Sequence, residues 1–194
     1  HYGMKIEDNV IQEVFNKLLK KSNYKKRYLK IKKFNSNNKY LKKGIAITPV
    51  KFGISFTTIH LNQAGALVHI YTDGSVHVNH GGIEMGQGTN TKIAQLVANE
   101  LGLPFEKIKI SSTNTSKVPN TSASAASSTT DLNGAAALDA VSKIKQNLEK
   151  FIKKKYSIKN IKIIYEKGLI KFKNKAFKFD SIIKDAYLNR ISLS

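Results

Sequence analysis

Ala66-Leu67-Val68-His69-Ile70-Tyr71-Thr72-Asp73-Gly74-Ser75-Val76-His77-Val78-Asn79 reads as two β-rich runs on either side of an Asp-Gly turn. Such a turn needs a positive φ that glycine tolerates, so the two runs are predicted to pair as a hairpin. Beyond it come Gly81-Gly82-Ile83-Glu84-Met85-Gly86-Gln87-Gly88 and a helical stripe of Ile93, Leu96, Val97 and Leu101, opened at Thr89 or Thr91 and stopped by Gly102 and Pro104. Lys107 to Ser111 alternates as a further short strand. Strands and helices mix here without a regular βαβ alternation. The expected class is therefore α+β, with mixed or antiparallel sheets and packed helices in two-layer units.

Working outward, residues 112–134 are rich in Ser, Thr, Ala and Asn. Ala135 to about Lys154 then reads as a helix with Leu138, Val141, Ile144, Leu148 and Phe151 facing inward. Ile161 to Tyr165 and Leu169 to Phe172 flank Glu166-Lys167-Gly168 as a second hairpin, and residues 180–189 suggest a last short helix. Toward the N-terminus, Ile45, Ile47, Val50, Ile54, Phe56, Thr57, Thr58 and Ile59 are β-formers, preceded by a composition boundary at Gly44. Val10, Val14, Leu18 and Leu19 predict one amphipathic helix over residues 10–28, and residues 29–43 read as a polar loop. The expected organisation is a basic helical linker (1–43), a core segment (44–160) and a continuation of the same domain (161–194). The absence of an initiator Met before His1, and of a closing element at Ser194, reads as two cut ends.

The chain has 194 residues, no Cys and a net charge of +20. A chain of this size buries about 70% of its unfolded surface and folds without disulfides. Lacking cysteine, it can build neither a thiolate metal site nor an iron–sulfur cluster. The charge is uneven: +10 over residues 1–43, −1 over 44–140 and +11 over 141–194. Thirty-one of the cations are lysines, and only Arg27 and Arg190 carry the planar group suited to bidentate phosphate contacts. Solvated lysine-rich surface is thus favoured over nucleic-acid binding. No apolar run approaches the ~20 residues of a membrane span and no signal-peptide pattern is present, so a cytoplasmic protein is expected.

Two segments invite chemistry. Four glycines in the eight positions Gly81–Gly88 let backbone N–H groups approach a ligand, and the helix start that follows favours anions. A ligand-free strand-to-helix turn fits the same spacing. Val118 to Asp131 is small and hydroxylated throughout, suited to close backbone approach or, equally, to a Ser/Thr linker whose Thr130 or Asp131 caps a helix. The histidines His1, His60, His69, His77 and His80 form no clear ligand cluster. His69 and His77 face each other across the hairpin as sheet-surface residues.

Taken in order, Lys51 to Thr57, Leu61 to Ala66, Tyr71 to Ser75, Gly81 to Gly88 and Val118 to Ser122 resemble consecutive motifs of the molybdenum-binding region of the xanthine oxidase/aldehyde oxidase family, in its xanthine dehydrogenase branch. Ile83 departs from the family's usual Thr. The resemblance implies a fragment of the molybdenum subunit of an NAD-linked oxidoreductase of purine catabolism, hydroxylating hypoxanthine to xanthine and xanthine to urate. It implies that Phe56 stacks on the purine ring and Thr57 lies beside the substrate. Met85, Gln87, Ala126, Ser127, Thr129 and Thr130 would contact molybdopterin, with Gln87 and Ala126 near the metal and no residue ligating it.

The resemblance further implies a glutamate base beyond Ser194 and an upstream half carrying a glutamine, a Gly/Phe loop and an arginine. No catalytic residue is therefore expected within this chain, and Glu84 is not read as a base. [2Fe-2S] clusters and FAD belong to other domains or subunits. The expected partners are the remainder of the enzyme, a purine substrate and a second copy of the complete enzyme, with no membrane and no nucleic acid. The isolated chain is expected to be inactive. The competing readings are a noncatalytic remnant of such an enzyme and a lysine-rich nucleic-acid-binding module.

Overall fold

The computed structural model describes residues 7–50, 58–117, 120–125 and 128–194, and the chain divides into two compact units, 1–53 and 54–194.

The first unit holds two helices, α1 (Ile11–Lys21) and α2 (Tyr24–Asn37). The single helix expected over residues 10–28 is broken, and the expected loop at 29–43 is helical as far as Asn37. The break has a local cause: Asn23 adopts left-handed φ 50°, which Asn tolerates better than most residues, and the Ser22 hydroxyl donates to the Leu18 carbonyl. Val10, Val14 and Leu18 remain exposed on α1. After α2 the chain folds back, with Asn35 donating to the Lys43 carbonyl (2.9 Å) and accepting the Lys43 N–H (2.8 Å). The β-formers Ile45, Ile47 and Val50 form no strand here, and Ile54, Phe56 and Thr57 lie outside the described residues.

In the second unit a short 3-10 turn at Ile59–Leu61 leads into β1 (Ala66–Ile70), which pairs antiparallel with β2 (Val76–His80). Gly74 takes the positive φ (77°) that the Asp-Gly signal requires, and His69 and His77 are direct cross-strand partners. From β2 the chain passes through the glycine-rich segment into α3 (Thr89–Leu101) and returns as β3 (Ile108–Ile110), parallel to β2. The sheet order is β1-β2-β3. α4 (Ser128–Lys155) packs on α3 and on the β1–β2 face. Its apolar positions Ala137, Val141, Ile144, Leu148 and Ile152 are buried together with Val68, Val76, Val78, Ile93 and Val97. This helix begins seven residues before the expected Ala135.

A second sheet, β4 (Ile164–Glu166), β5 (Leu169–Phe172) and β6 (Lys175–Lys178), is an antiparallel meander closed by α5 (Phe179–Leu188). The sequence pattern gives two of its strands. The third, with Phe177 as its one large apolar side chain, is held by the cluster of Tyr156, Phe172 and Phe177, whose rings lie 5.0–5.1 Å apart. Among the described residues, five α-helices and two small mixed or antiparallel sheets make an α+β fold. Among the described residues no helix is long and apolar enough to cross a membrane.

Candidate functional site

The glycine-rich segment runs from the end of β2 to the start of α3 along the first turn of α4, held to it by a set of long-range contacts. Gly81 and Gly82 are buried where no side chain fits: a Cβ on Gly81 would lie 2.0 Å from Thr121 Cγ2, and one on Gly82 would lie 2.8 Å from Thr129 Cγ2. Asn133, buried in α4, accepts the Gly81 N–H on Oδ1 (3.2 Å) while its Nδ2 donates to the Thr129 carbonyl (2.9 Å). Ser124 Oγ accepts the Ile83 N–H (2.7 Å). From the strand side, the Thr113 hydroxyl lies in donating range of the His80 and Gly82 carbonyls (3.1 and 2.8 Å). Two segments some forty residues apart in sequence therefore form one surface, in keeping with the pairing of the two motifs.

Between Ile83 and Gly88 the loop is exposed and organised by its own side chains. The Gln87 amide closes a clasp: Oε1 accepts the Met85 N–H (2.5 Å) and Nε2 donates to the Ile83 carbonyl (2.8 Å). The Glu84 carboxylate receives three backbone N–H groups, from Gly86 and Gly88 on Oε1 (both 2.9 Å) and from Asn90 on Oε2 (3.0 Å). Those N–H bonds, that of Asn90 foremost, hold Glu84 below the usual carboxylate range, with Lys92 adding to the effect. A carboxylate so stabilised is a poor proton acceptor. Gly86 and Gly88 have positive φ (92° and 78°), and among the described residues a Cβ at either would meet nothing within 4 Å, so the loop backbone borders open space there. Met85 is 66% exposed.

Below the loop lies His80, 1% exposed. Its Nδ1 accepts the Gly82 N–H (3.1 Å), which leaves Nε2 to carry the proton of the neutral ring. Burial pushes its pKa down, opposed by the Asn90 side chain and the Glu84 charge. The Asn90 side chain interacts with the His80 ring, and Thr89 Oγ1 and Thr129 Oγ1 are buried with no hydrogen-bond partner among the described residues.

Of the residues singled out in the sequence, Met85 and Gln87 stand in the exposed loop and Thr129 and Thr130 in the first turn of α4. Thr129 is buried and Thr130 half-buried. Phe56, Thr57, Ala126 and Ser127 lie outside the described residues. His80, Thr113, Asn133 and the capping by Glu84 were not anticipated. Only the last left a sequence signal, a carboxylate four residues before the Gly that opens α3. Among the described residues no group of three or more His, Cys, Asp and Glu side chains is placed to hold a metal ion. The loop and the first turn of α4 offer instead amides and hydroxyls beside open space, the N–H groups of Gly81, Gly82, Ile83, Met85, Gly86, Gly88 and Asn90 being bonded within the chain. That set suits a polar organic cofactor that brings its own metal ligands, so molybdopterin fits.

Comparison with known proteins carries this further. A family model described as "Molybdopterin cofactor-binding domain" matches residues 17–194. The chain is 51% identical over 148 residues to xanthine dehydrogenase of Dictyostelium discoideum, covering 76% of this chain and 11% of that protein. It is 42% identical over 194 residues to xanthine dehydrogenase/oxidase of Mus musculus, covering all of this chain and 13% of that protein. The solved structure of quinoline 2-oxidoreductase from Pseudomonas putida 86 shares the fold, with a TM-score of 0.60 at 23% identity over 66% of this chain and 16% of that one. The chain thus spans 11–13% of the length of these curated relatives. With a family match that takes in β1 to α5, the glycine-rich loop and the start of α4 alike, the chain belongs to the molybdopterin cofactor-binding domain family.

Proposed function

We propose that this chain supplies part of the molybdenum site of a larger xanthine dehydrogenase-type hydroxylase that converts hypoxanthine to xanthine and xanthine to urate. The observation that carries the reading is the 42% identity to mouse xanthine dehydrogenase/oxidase across all 194 residues, the glycine-rich loop and the start of α4 included. In this reading the core segment 44–160 and its continuation 161–194 belong to one cofactor-binding domain, preceded by the basic helical linker 1–43. The iron–sulfur clusters, FAD and the NAD site are carried elsewhere in the enzyme, which works in the cytoplasm as a homodimer.

When bound, the cofactor supplies a redox-active molybdenum centre that oxidises the substrate carbon. This chain's own part is to bind and orient. Gln87, fixed by its clasp, keeps one Nε2 hydrogen and one Oε1 lone pair for the ligand. The Met85 N–H is spent on Gln87, so a backbone contact from Met85 falls to its carbonyl. Thr129 and Thr130 meet the cofactor from the first turn of α4; in this reading Ala126 and Ser127 also contact it, Gln87 and Ala126 lie near the metal, and Phe56 and Thr57 hold the purine. Preorganisation of this kind fixes geometry before the reaction begins.

The reading is tested by an immunoblot of the source cells with an antibody to residues 44–140, followed by metal analysis of the captured protein. A chain several times larger than 21.6 kDa that carries molybdenum is expected. A native product near 21.6 kDa without molybdenum would overturn the reading in favour of a noncatalytic remnant.

A further inference from the structure

Glu84 does something that glycine-rich loops before helices are usually free to do for a ligand. The first N–H groups of a helix have no partner within it and, with the helix dipole, form a ready site for a phosphate or carboxylate. In α3 two of those donors, the N–H groups of Gly88 and Asn90, are already taken. Gly88, at the N-cap, has no side chain to offer, and α3 has no acidic residue in its first turn. The carboxylate comes instead from four residues before the cap, and it gathers the N–H groups of Gly88 and Asn90 together with that of Gly86. The same contacts fold the chain between Ile83 and Gly88 into a closed ring, which the Gln87 clasp completes.

We propose that Glu84 is a positioning residue: a built-in anion that occupies the Gly88 and Asn90 donors at the start of α3, holds Met85 and Gln87 toward the open space, and competes with external phosphates and carboxylates for this helix start. The loop then recognises neutral polar parts of its ligand, and any phosphate the ligand carries is bound elsewhere. Naming that ligand as molybdopterin rests on the function proposed above; the competition with anions does not.

The experiment follows amide hydrogen exchange and chemical shift at Gly86, Gly88 and Asn90 in the 194-residue chain. Wild type, Glu84→Ala and Glu84→Gln are titrated with inorganic phosphate, with formate, and with chloride at matched ionic strength. Reading three named amides avoids confusion with phosphate held by the lysine-rich surface. In wild type the amides are protected and do not respond to phosphate or formate. In Glu84→Ala exchange at the three positions rises roughly five- to tenfold, the size of effect lost with a helix cap. Phosphate or formate, but not chloride, then restores protection.

Glu84→Gln, which keeps an acceptor and loses the charge, gives a smaller rise and a weaker response to anions, and it carries the test should the alanine variant fail to fold. A purely structural contact would not be rescued by a free anion. The proposal is overturned if wild-type amides respond to phosphate as the alanine variant does, if exchange is unchanged in both variants, or if no anion restores it. Failure of the wild-type chain to bind molybdopterin would count against the cofactor reading alone and leave these amide measurements standing.

Discussion

Gly82 and Thr129 meet at a distance that leaves no room for a side chain between them: a Cβ on Gly82 would lie 2.8 Å from Thr129 Cγ2 and 3.2 Å from Asn133 Nδ2. The site depends on that closeness, since it is where the glycine-rich loop touches the first turn of α4. Gly82→Ala is expected to lower stability by about 1–3 kcal/mol, the usual cost of overpacking. Thr129→Ser removes the methyl group in the way and should recover part of that loss in the double variant, measured by urea unfolding. A double variant no more stable than Gly82→Ala alone would show that the methyl contact is not the cause.

His80 makes the stability of the chain depend on pH in a defined direction. Burial lowers its pKa in the folded state, so between that value and the ordinary one near 6.5 the unfolded chain binds the proton more readily. Stability is therefore complete above about pH 6.5 and falls as the pH drops through that window. Unfolding at pH 7.5, 6.5 and 5.5 should show the loss, and His80→Gln should flatten the pH dependence between these points. An equal slope in the variant would assign the effect to other groups.

The Tyr165 hydroxyl is buried without a partner among the described residues, and burial pushes its pKa upward. Lys145 lies 4.7 Å from the centre of the ring, so the ring itself contributes through its face. Tyr165→Phe removes the unsatisfied hydroxyl and keeps the ring. Thermal unfolding is expected to show the variant as stable as wild type or up to ~1 kcal/mol more so. A loss of more than that would mean that the hydroxyl has a partner in solution.

How far these features could be read from the sequence depended on how local their causes are. Asp73-Gly74 fixes its turn within a few residues, and the facing of His69 and His77 follows from it. The stripe of α3 and its Gly102 stop are equally local. Asn23 carries no such signal, because its left-handed φ is merely tolerated by the residue type. The first turns of α4 have low intrinsic helix preference at Ser128, Thr129 and Asn133 and read as a linker; burial against the glycine-rich loop makes them helical. The exposed loop of the site was legible as a glycine pattern. Its supports were not, since Asn133 and Gly81 are 52 residues apart and only the fold brings them together.

The isolated 194-residue chain is expected to show no xanthine-dependent reduction of a dye, even when supplied with molybdopterin, because it covers only 11–13% of relatives that carry out the whole reaction. Measurable turnover would require that the chain hold every group the reaction needs, and the division of labour proposed here would fail.

The bonds from Gly81 to Asn133 and from Ser122 to Gln63 span 52 and 59 residues, against a handful for the turn at Gly74. Contacts of that reach form only after much of the chain between them has been ordered. The hairpin and α3 rest on local contacts, so they are expected to order before the loop-to-α4 surface does. A half-folded molecule would lack the joined loop-to-α4 surface, so cofactor capture, where it depends on that surface, is expected only of finished molecules.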